Sequence, residues 1–277
     1  MSLRIATNMA SINGQRQLFN TNLSMMKSME RLSSGYRINR ASDDAAGLAI
    51  SENLRAQLRG MKQANRNAND GVSMVQVAEG GLAEVGNMLI RMRELAIQAA
   101  SDTIGDRERT FTDAEFQQLK DEIQRVAEVT EFNSTPLLSG TGGLLEFQIG
   151  VHNDPFNDRI SFDSTASNAT TGSLGIIAES VASKPGAQTS LGAIDEAILK
   201  TNAMRANFGA LQNRLVATMN NLNVAHENLS AANSRIRDTD IAEESAELAK
   251  QNILMQSGVS VLGQANQIKN LALKLLG

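Results

Sequence analysis

Starting at Met61 and stepping alternately three and four residues along the chain, one meets Met61, Ala64, Ala68, Gly71, Val75, Ala78, Leu82, Val85, Leu89, Met92, Ala96 and Ala99. Every position is apolar or glycine. A seam with this period lies on one face of a helix and needs a second helix against it. The same walk from Ile194 gives Ile194, Ala197, Thr201, Met204, Phe208, Leu211, Leu215, Thr218, Leu222, Ala225, Leu229 and Ala232, with threonine as the only intruder. The two seams predict long helices packed on each other.

Composition agrees with helices packed through small and flexible residues: no Trp, one Tyr and three Pro in 277 residues. The 26 basic and 30 acidic residues are spread along the length for a net charge of -4, so no basic stripe neutralises a phosphate backbone. Nucleic acid is therefore not an expected partner. Cysteine is absent, which removes disulfide frameworks and thiolate metal sites. No window reaches 18 apolar residues, so no membrane-spanning helix is expected, and the N-terminus lacks the apolar run of a cleaved signal peptide.

A third helix is announced by Thr112, Asp113, Ala114 and Glu115, which match a capping box, followed by Phe116, Leu119, Ile123 and Val126 and running to about Thr130. From about 134 to 188 the character changes. Short alternating runs, LLEFQIGV and RISF, are bracketed by Thr141-Gly142-Gly143 and Asn153-Asp154-Pro155, which predicts β-hairpins. The stretch from Asp163, DSTASNATTGSLG, is poor in apolar residues and reads as a surface loop.

The two ends carry a third pattern. Ile5, Met9, Ile12, Phe19, Leu23 and Met26 fall on one helical face, flawed by Arg16; Leu254, Gly258, Val261, Ala265, Ile268, Ala272 and Leu275 do the same near the C-terminus. An isolated helix of some 30 residues is only marginally stable in water. Each large apolar side chain left uncovered forgoes about 1.5 to 3 kcal/mol. Such ends are expected to order on a partner.

Between the terminal and seam helices lie charged connectors. In ERLSSGYRINRASDDAAGLAIS, residues 30 to 51, Ser42 is the expected N-cap of the first seam helix, with Asp43 and Asp44 in its first turn complementing the macrodipole. A matching basic-then-acidic stretch occurs at 227 to 250, where Asp240 and Glu243 open the last helix. Arg31, Arg37, Arg40, Asp43 and Asp44 are expected to pair with groups near Arg235, Arg237, Asp238 and Asp240, within a subunit or between subunits.

The strings LSSGYRINRASDDAAGLAISENLRAQ and ENLSAANSRIRDTDIAEESAELAKQNIL, with MRELAIQAASDT and GALQNRL between them, resemble bacterial flagellin, the filament subunit, over residues 1 to 150 and 188 to 277. The resemblance implies a mainly α fold: a long antiparallel helical bundle or coiled coil with a small β-hairpin region and paired N- and C-terminal helices. It assigns 1–33 with 241–277 to inner-tube helices and 34–43 with 233–240 to the connectors. The outer-tube bundle takes 44–162 with 189–232, which leaves 163–188 as a short surface-exposed variable segment in place of extra outer domains.

By the same resemblance the partner is a homopolymer, assembled outside the cell after export without a cleaved signal peptide through the flagellar type III apparatus. An export chaperone covering the C-terminal stripe and a filament cap are implied, and the region Leu137 to Phe162 corresponds to a hairpin implicated in supercoil switching. A vertebrate Toll-like receptor contact maps onto Arg91, Leu95 and Glu115, although Ile90 stands where recognised members often have glutamine.

Other classes fit less well. Some flagellins carry a zinc peptidase motif, but here His226-Glu227 is followed by Ser230 at the fifth position and His152 is the only other histidine, so neither zinc chemistry nor any cofactor is expected. A hook-filament junction protein would share the terminal helices, yet the ASDDAAGLAI and SAANSRIRD strings look more like the filament subunit. A secreted membrane-active helix would use the same stripes, but Lys250, Lys269 and Lys274 are few cations for anionic lipid.

Overall fold

The structure, a computed structural model, describes residues 7–274, with side chains described as far as residue 267. The described elements are α1 Met9–Ser34, α2 Ala45–Ala100, α3 Asp106–Val129, β1 Glu131–Phe132, β2 Thr135–Pro136, β3 Leu144–Gln148, β4 Arg159–Asp163, α4 Thr171–Leu174, α5 Lys184–Arg237 and α6 Ile241–Lys274. They group into a bundle unit, residues 57–227, and a terminal unit, residues 1–56 with 228–277.

In the bundle unit α2 and α5 run antiparallel. Arg93 pairs with Asp195 at 2.7 Å and Glu79 with Arg205 at 3.7 Å, and Asn65 Nδ2 donates to Asn223 Oδ1 at 3.0 Å, so residues advance on one helix as they recede on the other. The α2 seam is buried from Ala64 to Ala99, as the spacing predicts. The α5 seam is buried from Ile194 to Leu215 but only half-buried at Thr218, Leu222 and Ala225, which border an open cavity of about 490 Å³ beside Met61, Ile149 and Val151. α3 closes another side with Phe116, Ile123 and Ala127, and the β region contributes Leu137, Leu138, Ile160 and Phe162 to the same core. The Phe162 and Phe208 rings lie 5.4 Å apart.

α3 starts earlier than the capping-box reading placed it. Its first residue is Asp106, and the Thr112 hydroxyl donates to the Glu108 carbonyl at 3.2 Å inside the helix instead of capping it. Arg109 explains the early start. Its buried guanidinium donates to the carbonyls of Ala99 and Ser101, each at 2.9 Å, and pairs with Asp106 at 2.7 Å, so the first turn of α3 satisfies the free carbonyls at the end of α2.

β3 and β4 form the expected antiparallel hairpin, Leu144 opposite Asp163 and Gln148 opposite Arg159. A smaller ladder, β1 with β2, turns through Asn133 and Ser134, both at positive φ. The stretch after Asp163 is not a surface loop. Ser164, Ser167, Ala169, Thr171, Leu174 and Ile176 are buried and α4 forms within it, because hydroxyls there meet backbone carbonyls: Ser164 Oγ donates to Leu137 O at 3.1 Å. α5 begins at Lys184, ahead of the boundary expected at 189, and continues to Arg237, so most of the C-terminal connector is helix.

In the terminal unit α1 and α6 lie antiparallel: Asn8 Nδ2 donates to the Ala265 carbonyl at 3.1 Å, and Arg31 meets Glu244 at 3.3 Å near the other end of α1. Gly35 closes α1 in the left-handed conformation, φ 74°, with its N–H on the Arg31 carbonyl.

Candidate assembly interface

The α1–α6 pair fully buries few apolar side chains. On α1 the buried residues are Ser11, Thr21 and Ser28. The contact is close where leucines meet glycines: a Cβ on Gly258 would stand 2.6 Å from Leu18, and one on Gly14 would stand 3.3 Å from Leu262, while Met25, Leu32, Leu248 and Met255 are half-buried. A second set of large apolar side chains points away. Met9, Ile12, Phe19, Leu23, Met26 and Met29 on α1 are exposed, Phe19 to 64%, as are Ile241, Ile253, Leu254, Val259 and Val261 on α6. Among the described residues of this unit, Ile38 and Ala265 are the only apolar side chains that are fully buried.

The sequence-predicted stripe therefore divides. Met9, Ile12, Phe19, Leu23, Met26, Leu254 and Val261 form outward faces, whereas Ala265, at 9% exposure, belongs to the contact with α1. Ile5, Ile268, Ala272 and Leu275 lie outside the residues whose side chains are described. Met29, Ile241, Ile253 and Val259 were missed, because a single seven-residue walk samples one line of a broad face.

The connectors meet mainly through main chain, and of the charges expected to pair across, Arg31 does so within the chain, with Glu244 at 3.3 Å. Main chain joins them: Arg37 N–H donates to the Arg237 carbonyl at 2.7 Å and Thr239 N–H to the Gly35 carbonyl at 3.0 Å, flanking a bridge between Tyr36 and Asp238. The other charges turn to the helices. Asp43 pairs with Lys27 at 2.8 Å, Arg40 with Glu30 at 3.0 Å and Arg237 with Glu52 at 2.6 Å. Arg37 Nη2 donates to the Ile236 carbonyl at 2.7 Å, while Arg235 is exposed. Asp240 caps α6, accepting from the N–H of Ala242 at 2.8 Å.

Ser42 is not the cap of α2. Asp44 accepts from Gly47 N–H at 2.9 Å with the helix beginning at the next residue, and Asp43 accepts instead from the N–H groups of Asn39 and Arg40. Lys27 beside it, and then the Arg40 N–H, hold the Asp43 carboxyl down at about 2 against the opposing effect of burial. Among the described residues of this unit, four polar atoms are buried without a hydrogen-bond partner in the single chain: Arg31 Nε, Asn233 Oδ1, Arg237 Nε and Thr239 Oγ1.

On the bundle unit, Arg91 and Glu115 are exposed and joined to each other at 2.8 Å. Leu95 is 2% exposed and contributes to the core beneath them, so the surface neighbour of Arg91 is Ile90, at 54%. No helix among the described residues is long and apolar enough to cross a membrane.

The comparisons with known proteins match the N-terminal and C-terminal parts of the chain. Residues 5–142 match the family model of the bacterial flagellin N-terminal helical region, and residues 191–276 that of the C-terminal helical region. The chain is 44% identical over 270 residues to a flagellin of Halalkalibacterium halodurans, covering 97% of this chain and 98% of that protein. It is 43% identical over 282 residues to a flagellar filament 33 kDa core protein of Treponema phagedenis, with 97% and 98% covered. The crystal structure of Bacillus cereus flagellin superposes with a TM-score of 0.51 at 33% identity, over 57% of this chain and 88% of that one. With both terminal regions matched and near-complete relatives above 40% identity, the chain belongs to the bacterial flagellin family.

Proposed function

We propose that the chain is a structural subunit that self-assembles into the extracellular helical filament of the bacterial flagellum. One observation carries this reading beyond family membership: the terminal unit has outward apolar faces on both helices and almost no apolar core of its own. Covering Phe19, Leu23, Met26, Leu254 and Val261 on neighbouring copies gains about 1.5 to 3 kcal/mol for each large side chain. A chain that contacts its copies through two different faces builds an open helix when the rotation between copies does not close a ring. The buried polar atoms left unpaired in the single chain cluster in the same unit, and a neighbour or bridging water supplies their partners.

The finer parts of the reading follow from this. α1 and α6 complete their ordering at the growing end, so their conformational cost falls due where apolar cover is available. Export proceeds without a cleaved leader, an export chaperone shields the outward face of α6, and a cap retains subunits at the tip. The separation into a terminal and a bundle unit, at 56/57 and 227/228, supports a division into inner-tube helices with connectors and an outer-tube bundle, and the β3–β4 hairpin is the element available to bias protofilament length. A Toll-like receptor contact at the mapped place would rest on Arg91 and Glu115, with Ile90 beside them.

Deletion of residues 241–277 tests the assembly reading by electron microscopy of the purified chain under polymerising conditions. The truncated chain is expected to give no filaments, and normal filaments would end the reading.

A further inference from the structure

The outward face of α1 is notable for its sulfur. Met9, Met26 and Met29 are 59%, 57% and 47% exposed, whereas Met74, Met92 and Met204 in the bundle core are 4%, 0% and 8% exposed. Met26 and Met29 stand three residues apart, neighbours on one face of the helix. Together with Leu23, Lys27 and Arg40 they line an open cavity of about 680 Å³, so a small oxidant reaches both sulfurs from solvent. The chain contains no cysteine, which makes thioethers its only oxidisable sulfur.

We propose that Met9, Met26 and Met29 form an oxidation-sensitive site on the assembly face, at which peroxide excludes an unassembled subunit from the filament reversibly. The proposal rests on the assembly reading above. The methionine sulfur attacks one oxygen of hydrogen peroxide; the S–O bond forms as the O–O bond breaks, and the leaving hydroxide takes the remaining proton to depart as water. Sulfur is oxidised by two electrons and peroxide is reduced by two. The product sulfoxide is polar and chiral, and each epimer is returned to the thioether by its own reductase, with a dithiol supplying two electrons and two protons, becoming a disulfide, and the oxygen leaving as water. A sulfoxide placed in an apolar contact is a buried acceptor with no donor, which weakens the contact it enters. Once assembled, the same sulfurs are covered by neighbouring copies.

Partial oxidation of the full-length chain with hydrogen peroxide, then polymerisation and pelleting, tests this without any substitution. Peptide mass spectrometry is expected to find sulfoxide at Met9, Met26 and Met29 ahead of Met74, Met92 and Met204, and depleted about tenfold in the filament pellet relative to the supernatant, equivalent to a modest contact loss. Treating the supernatant with both sulfoxide reductases should return it to the polymerising pool, and preformed filaments should resist oxidation at the three positions. Equal sulfoxide in pellet and supernatant, or no recovery on reduction, would overturn the proposal. Phe19→Asp separates this outcome from failure of the assembly reading: if that chain is blocked while oxidised chains enter filaments freely, the assembly face stands and the oxidation site does not.

Discussion

The guanidinium of Arg237 sits over the ring of Tyr36, its central carbon 4.8 Å from the ring centroid, while Nη1 of the same residue holds Glu52 at 2.6 Å. One planar cation thus ties the end of α5 to the N-terminal connector and to α2. Arg237→Lys keeps the charge but loses the fork and the stacking surface. It is expected to weaken the terminal unit by about 1 to 2 kcal/mol, read as a lower temperature for heat dissociation of filaments.

Asp43 gives the protein a local acid dependence. Its carboxyl falls from 3.8 to about 2 on folding, chiefly through Lys27, so the unfolded chain takes up the proton first as the pH drops. Its contribution is complete above about pH 4 and is lost as the pH falls through the folded value of about 2. Asp43→Asn should lower stability at neutral pH and flatten the acid-dissociation curve between those limits. An unchanged curve would remove Asp43 from the account.

Gly47 is a helical glycine that alanine should not improve. Alanine gains about 1 kcal/mol in helix propensity, but its Cβ would stand 2.4 Å from Asp44 Oδ2 and 2.9 Å from Ile38 Cδ1. The cap of α2 and the packing of Ile38 would both suffer, at about 1 kcal/mol for the cap and 1 to 3 for the crowding. Gly47→Ala is therefore expected to lower protection of the α2 amides near 45–50 in hydrogen exchange.

Two substitutions separate the units. Leu89 is fully buried in the bundle core, and Leu89→Ala should cost about 2 to 5 kcal/mol of monomer stability by thermal unfolding. Phe19→Ala should leave the monomer within about 0.5 kcal/mol of the parent and yet raise the concentration needed for polymerisation. A reversed pattern would contradict the division of labour between the two units.

Clamping by Arg109 is a further target. Removing its side chain frees the Ala99 and Ser101 carbonyls at the end of α2. Arg109→Ala should cost about 3 kcal/mol, and lysine should not restore it, because one ammonium does not reproduce the planar fork. Thermal unfolding of the monomer measures both.

How far the fold could be read in advance depended on whether a residue's surroundings follow from its polarity. The α2 seam was legible because Leu82, Val85, Leu89 and Met92 repeat on one line and each is buried. The inner face of α1 was not, since Ser11, Thr21 and Ser28 are polar by type and yet buried where α1 and α6 pack, with Leu18 on Gly258 and Leu262 on Gly14. The same holds for Ser164 and Thr171, whose hydroxyls bond to Leu137 O and Gln124 Oε1 and so lose their need for water. The start of α3 was missed because its signal, Arg109, acts on carbonyls of another helix. The outward apolar faces were legible as amphipathic stripes, but which way they point is a property of packing.

The stitch between the two connectors has a consequence for how this chain can change over time. Its bonds run from Arg37 N–H to the Arg237 carbonyl and from Thr239 N–H to the Gly35 carbonyl, atoms that every residue except proline supplies. A joint built from peptide groups is indifferent to the side chains hung on it. Apart from Arg237 and Asp43, whose side chains hold partners of their own, residues along it are therefore free to drift among descendants one at a time, so long as Gly35 keeps its left-handed turn.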